Sequence, residues 1–182
     1  MAAADYRAVL LTGRPRIGKT TVVRDLARRL SARRLAGFYT EEIRHGGLRV
    51  GFRAVTFACD QVTIAHVDFN QASRVGKYGV DVEAIDRLAD ETLGLQPGVD
   101  LYLIDEIGKM ECLSQRFVGA VRRLFDASPW IVATVARAGP GLISEIRHFP
   151  GVILREVTPG NRDGLAGNIS LWLEERLRGT DG

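Results

Sequence analysis

A chain of 182 residues can bury a sizeable core, and 25 Lys and Arg against 22 Asp and Glu leave a formal net charge of only +3, so nothing in its charge demands a polyanionic partner. Its two cysteines, Cys59 and Cys112, are far apart and in no metal-ligand spacing, which argues against a disulfide scaffold and fits a reducing compartment. The opening MAAADYRAVLL lacks the basic flank and apolar region of a signal peptide, and no apolar run is long enough to span a bilayer. A soluble, cytoplasmic protein without membrane contact is therefore expected. With no repeat, low-complexity tract or Pro/Ser-rich linker, one domain over 1–182 is expected.

The first apolar run, AVLL at 8–11, reads as a buried strand. It leads into Gly13-Arg14-Pro15-Arg16-Ile17-Gly18-Lys19-Thr20, followed by Thr21. This is the pattern G-x-x-x-x-G-K-[ST], in which glycines let backbone N–H groups turn toward phosphates. The lysine reaches the β- and γ-phosphates, and the last hydroxyl coordinates Mg²⁺. Val22, Val23, Leu26 and Leu30 then recur at helical spacing, so the loop feeds a helix whose N-terminal dipole favours the anion. Residues 13–21 are thus candidate nucleotide contacts. Arg16 stands where the backbone can require an unusual φ, which a bulky residue adopts at a penalty. Its side chain either reaches back to a phosphate or projects into solvent, and the second reading is preferred.

Residues 37–67 show no helical period. Leu48, Val50, Phe52 and Ala54 alternate with Arg49, Gly51, Arg53 and Val55, and turns are expected at 45–47 and 59–61, so an antiparallel meander at one sheet edge is expected. RVGKYGV at 74–80 reads as a loop whose glycines would let it close over a nucleotide, bringing Arg74 and Lys77. A helix follows over 81–93. LYLI at 101–104 is a buried strand ending in Asp105 and Glu106. An aspartate there can hold Mg²⁺ opposite Thr20, and a glutamate beside it can polarise water for attack on the γ-phosphate. Phosphoryl transfer also profits from a cation at the developing charge; Lys77 and Lys109 are the leading candidates, with Arg74 and Arg147 behind them.

Phe117, Val121, Leu124 and Phe125 mark a further helix, 131–135 and 152–157 two more strands, and Ile169, Leu173 and Leu177 a closing helix. Strands alternating with helices imply an α/β class with a mostly parallel sheet covered on both faces. Three histidines scattered through the chain make a metal site of their own unexpected, and Trp130 and Trp172 read as core residues. The arginines of 24–34 read as a solvated helix face; a nucleic-acid partner is not expected, because no aromatic platforms interleave with them.

GKTT, GFYTEEIRHGGLRVGF, RVGKYGV, the stretch beginning IDEIGKMEC, and GNRD occur in this order. Together they resemble the thermophile-type nucleoside-triphosphatase family, small P-loop proteins with vertebrate members. The resemblance runs from about residue 8 to about 165. It implies a three-layer P-loop sandwich in which strand 130–135 is inserted between the phosphate-loop strand and the Asp-Glu strand. It also implies Mg²⁺-dependent hydrolysis of ATP, GTP and other nucleoside triphosphates to diphosphates; separately, a monomer is expected. On the matching positions, Lys19 and Glu106 would be catalytic with Lys77 or Lys109, and Thr20 and Asp105 would hold the metal. Thr134 would be a γ-phosphate sensor, although an ordinary strand residue is the preferred reading. Asn161 and Arg162 would bracket the base, with turn formation as the rival reading. Two positions depart from the family pattern: Arg16, where glycine is usual, and Gly160, where an acid is usual. A nucleotide or nucleoside kinase and a nucleotide-dependent RNA-associated switch remain the competing readings of the same residues.

Overall fold

The computed structural model describes residues 6–178. Their strands are β1 (Ala8–Thr12), β2 (Leu35–His45), β3 (Leu48–Thr56), β4 (Gln61–His66), β5 (Arg74–Val75), β6 (Tyr78–Val80), β7 (Leu101–Ile107), β8 (Ile131–Val135) and β9 (Val152–Glu156). Helices α1 (Lys19–Arg29), α2 (Val82–Thr92), α3 (Gln115–Ala127), α4 (Leu142–Arg147) and α5 (Arg162–Leu177) alternate with them. All nine strands form one sheet in the order β5-β6-β4-β3-β2-β7-β8-β1-β9.

The sheet has two parts. From β2 to β9 every neighbouring pair is parallel, and β8 lies between β1 and β7. Beyond β2 every pair is antiparallel. Strand β2 belongs to both parts: Leu35–Phe38 pair with β7, and Phe38–His45 pair with β3. Where β2 lies along β7, Gly37 has φ +104, and a Cβ there would stand 2.0 Å from the Leu103 carbonyl oxygen. Only glycine permits this approach. The meander read from 37–67 is therefore present. Residues 74–80, expected as a loop, instead form the β5–β6 hairpin that ends the sheet. Two strands this short leave no period in the sequence.

Period-2 alternation along the parallel strands supplies two cores. Leu10, Phe38, Tyr102 and Ile104 point to the face covered by α2, α3 and α4. Val9, Leu11, Leu101 and Leu103 point to the face covered by α1 and α5. Each fully buried Leu or Ile contributes roughly 1.5–3 kcal/mol, so this double covering holds the parallel strands rigidly. Caps set two helix starts: the Asp81 carboxylate accepts from Ala84 N at 2.9 Å, and Ser114 Oγ from Phe117 N at 2.9 Å. Trp130 is buried and meets Trp172 edge-to-face at 5.6 Å.

Candidate active site

Parallel strands bring their C-terminal ends to one edge of the sheet, and there β1, β8, β7 and β2 deliver the groups that meet at Asp105. Gly13–Gly18 turn the chain from β1 into α1, with Gly18 at φ 109 and Arg16 at φ 63. Arg16 thus adopts the left-handed backbone anticipated for that position, and its side chain is exposed on the rim of a cleft of about 820 Å³. Helix α1 starts at Lys19, so its unpaired N–H groups face the loop.

Asp105, only 1% exposed, gathers this edge. Its Oδ2 accepts from Thr20 Oγ1 at 2.7 Å, from Thr40 Oγ1 at 3.2 Å and from Thr40 N at 3.3 Å. Its Oδ1 accepts from the buried Thr134 Oγ1 at 2.6 Å. Four donors from α1, β2 and β8 fix the orientation of the carboxylate. Thr134, read as an ordinary strand residue, is a direct partner of Asp105, and Thr40 had no signal in the sequence. The Asp105–Glu106 peptide is cis.

Glu106 follows on the cleft wall, with Oε2 3.7 Å from Lys19 Nζ. Burial raises its pKa and the Asp105 charge adds to this, while the Lys19 ammonium opposes both. A raised pKa makes the carboxylate a better proton acceptor. Glu111, which the sequence reading passed over, also lines the cleft and is 6% exposed; burial pushes its pKa up to about 8.

Lys109 is exposed and lines the cleft; Lys77 is exposed at the hairpin turn and lies outside the cleft lining, its ammonium 5.4 Å from the Tyr78 ring centre. Arg74 is engaged within its own hairpin by a bond to Lys77 O at 2.8 Å. Arg147 donates to Thr12 Oγ1 at 3.4 Å and Ala136 O at 3.3 Å, at the foot of the phosphate loop. Asn161 closes a turn, accepting from Thr158 N and donating to Glu156 O at 2.9 and 2.8 Å. Arg162 stands against the phosphate loop, its Cδ 3.8 Å from where a Gly18 Cβ would be. On α1, Arg28 and Arg29 both lie within ion-pair distance of Asp25.

The donor set at Thr20 and Asp105, one hydroxyl and one carboxylate 2.7 Å apart beside an anion-binding loop, suits a hard, oxygen-seeking cation. Among the described residues no cluster of three or more His, Cys, Asp or Glu forms a metal cage, and no helix is long and apolar enough to cross a membrane.

Comparison with known proteins gives these residues a setting. A family model described as NTPase matches residues 8–170. The chain belongs to this NTPase family. Among its curated relatives, the nucleoside-triphosphatase THEP1 of Thermotoga petrophila is 37% identical over 162 residues, 88% of this chain and 89% of the relative. The human cancer-related nucleoside-triphosphatase is 36% identical over 179 residues, covering 90% and 94% of the two chains. The crystal structure of THEP1 from Aquifex aeolicus superposes on this member of the family with a TM-score of 0.84 at 36% identity, covering 92% of this chain and 99% of that one. The solution structure of the human protein gives 0.79 at 35% identity, covering 93% and 98%.

Proposed function

We propose that this NTPase hydrolyses nucleoside 5′-triphosphates, ATP and GTP among them, to diphosphate and phosphate, with Mg²⁺ and little discrimination among bases. The observation that supports it most is the junction of the phosphate loop with the Asp105–Glu106 pair: Thr20 on Asp105 and Lys19 beside Glu106, at the mouth of one cleft. In this reading the amides of residues 13–20 and the Lys19 ammonium bind the β- and γ-phosphates. Thr20 and Asp105 would hold Mg²⁺, which when bound offsets charge on those phosphates. Glu106 accepts a proton from water as its oxygen attacks the γ-phosphorus, and the bond to the β–γ bridging oxygen breaks. Lys109, at the cleft, takes the role of accessory cation in preference to Lys77. Base contact falls to Arg162, since the Asn161 side chain is committed to its turn. A one-domain, monomeric enzyme is part of the same proposal.

Phosphate release from ATP, GTP, CTP and UTP without an added acceptor is the test, with wild type beside Glu106→Gln. Release from all four is expected, falling by roughly 10²-fold or more in the variant while nucleotide binding persists. Release that appears only with an acceptor alcohol would make the protein a kinase. Equal activity in Glu106→Gln would remove Glu106 from the chemistry.

A further inference from the structure

Gly108 is buried, and the open side of its Cα is bracketed by two carboxyl groups. A Cβ there would lie 2.9 Å from Glu106 Oε1 and 3.0 Å from Glu111 Oε2, which places the two oxygens within about 6 Å of each other. A water molecule at roughly 2.8 Å from each can bridge two oxygens up to about 5.6 Å apart. Glu106 therefore presents different oxygens to different neighbours: Oε2 to Lys19, 3.7 Å away, and Oε1 to the space over Gly108. Glu111 reaches that space because the chain reverses after β7. Cys112 N donates to Gly108 O at 3.0 Å and opens the short 3-10 turn of Glu111–Leu113. Glu106, Lys109, Met110 and Glu111 all line the cleft.

We propose that the attacking water is seated over Gly108 between Glu106 and Glu111, with Glu111 as a second water-holding residue of the hydrolytic site. The inference rests on Glu106 being the group that activates water. The raised pKa of Glu111, about 8 and caused by its burial, keeps the proton on this carboxyl at neutral pH. Its O–H donates to one lone pair of the water and leaves the other aimed at the γ-phosphorus. As the oxygen bonds to phosphorus and the bridging oxygen departs with the diphosphate, the water proton moves to Glu106 Oε1. Glu111 keeps its own proton throughout. Gly108 must lack a side chain because a Cβ there would meet the two carboxyls at 2.9 and 3.0 Å.

Two sets of variants test this, read by single-turnover rate, by binding of a non-hydrolysable triphosphate and by melting temperature. The Gly108 backbone lies outside the left-handed region, so Gly108→Ala adds no backbone strain, but its methyl group would meet Glu106 Oε1, Glu111 Oε2 and Glu106 Cγ at 2.9, 3.0 and 3.2 Å and push both carboxyls off the water they share. It is expected to bind nucleotide within about threefold of wild type and to turn over at least ~30-fold more slowly. Glu111→Gln retains a donor and an acceptor and is expected to keep at least about a third of the wild-type rate. Glu111→Met, of similar length but without either, is expected to fall at least ~10-fold in rate with binding unchanged. A purely structural role for Glu111 would lower melting temperature and binding in step with the rate. Wild-type turnover in Gly108→Ala, or equal rates in Glu111→Gln and Glu111→Met, would overturn the inference. If Glu106→Gln were itself fully active, the reading beneath it would fail instead.

Discussion

Glu111 also carries the sharpest prediction about stability. In the unfolded chain its carboxyl ionises near 4.5, whereas in the folded protein burial raises that value to about 8, with the charges of Glu106 and Asp105 adding to it. Between these values the folded state holds a proton that the unfolded state has released, so stability must fall as pH rises. The contribution is fully present below about pH 4.5 and lost progressively up to about pH 8. One pKa unit is worth about 1.4 kcal/mol, so the loss between pH 5 and pH 8 is about 3 kcal/mol. Glu111→Gln removes the titration and most of the slope. Urea unfolding of both proteins without metal or nucleotide, at pH 5, 6, 7 and 8, measures the difference directly. The glutamine variant should gain on wild type by about 3 kcal/mol across the series. Glu106, whose pKa is also raised by burial, titrates in both proteins and largely cancels, and the Cys112 thiol, pushed up to about 12, does not titrate in this range. A difference that stays constant within ~0.5 kcal/mol across that range would show that Glu111 is not held protonated by burial.

Three further outcomes are expected. Thr134→Val deletes the donor 2.6 Å from Asp105 Oδ1 with little change of volume; a loss of about 1.5–3 kcal/mol by urea titration is expected for a buried bond to a charged group. Arg16 is held at φ 63, so Arg16→Gly should be more stable than Arg16→Ala by about 1 kcal/mol, as read from paired melts; equal stabilities would mean that the loop relaxes elsewhere. Gly37→Ala would drive a Cβ to 2.0 Å from Leu103 O and should yield no cooperatively folding protein by circular dichroism, because β2 and β7 can then no longer pair.

The phosphate loop was legible from the chain alone because eight consecutive residues carry it, and their order is their geometry. The alternation of apolar strands and amphipathic helices likewise determined an α/β sheet, and the alternation around Leu48–Ala54 a meander. Burial and backbone geometry act over a few residues at a time, so these features survive translation into a linear pattern. The family resemblance supplied the position of β8 between β1 and β7, which no local period encodes. The β5–β6 hairpin escaped, since strands of two and three residues have no period, and two glycines and two cations look the same in a loop.

Tertiary structure alone decided which side chains meet at Asp105. Thr20, Thr40 and Thr134 lie 85, 65 and 29 positions away from it. Only the order β2-β7-β8-β1 brings their ends to one buried carboxylate. It also separated Lys109 from Lys77, which the sequence could only offer together, and it turned Glu111 from one acid among many into a buried carboxyl facing Glu106 across Gly108. Residue types and spacings specify what a short segment can do. The environment that sets a carboxyl group's charge and reach is built by strands far apart in the chain.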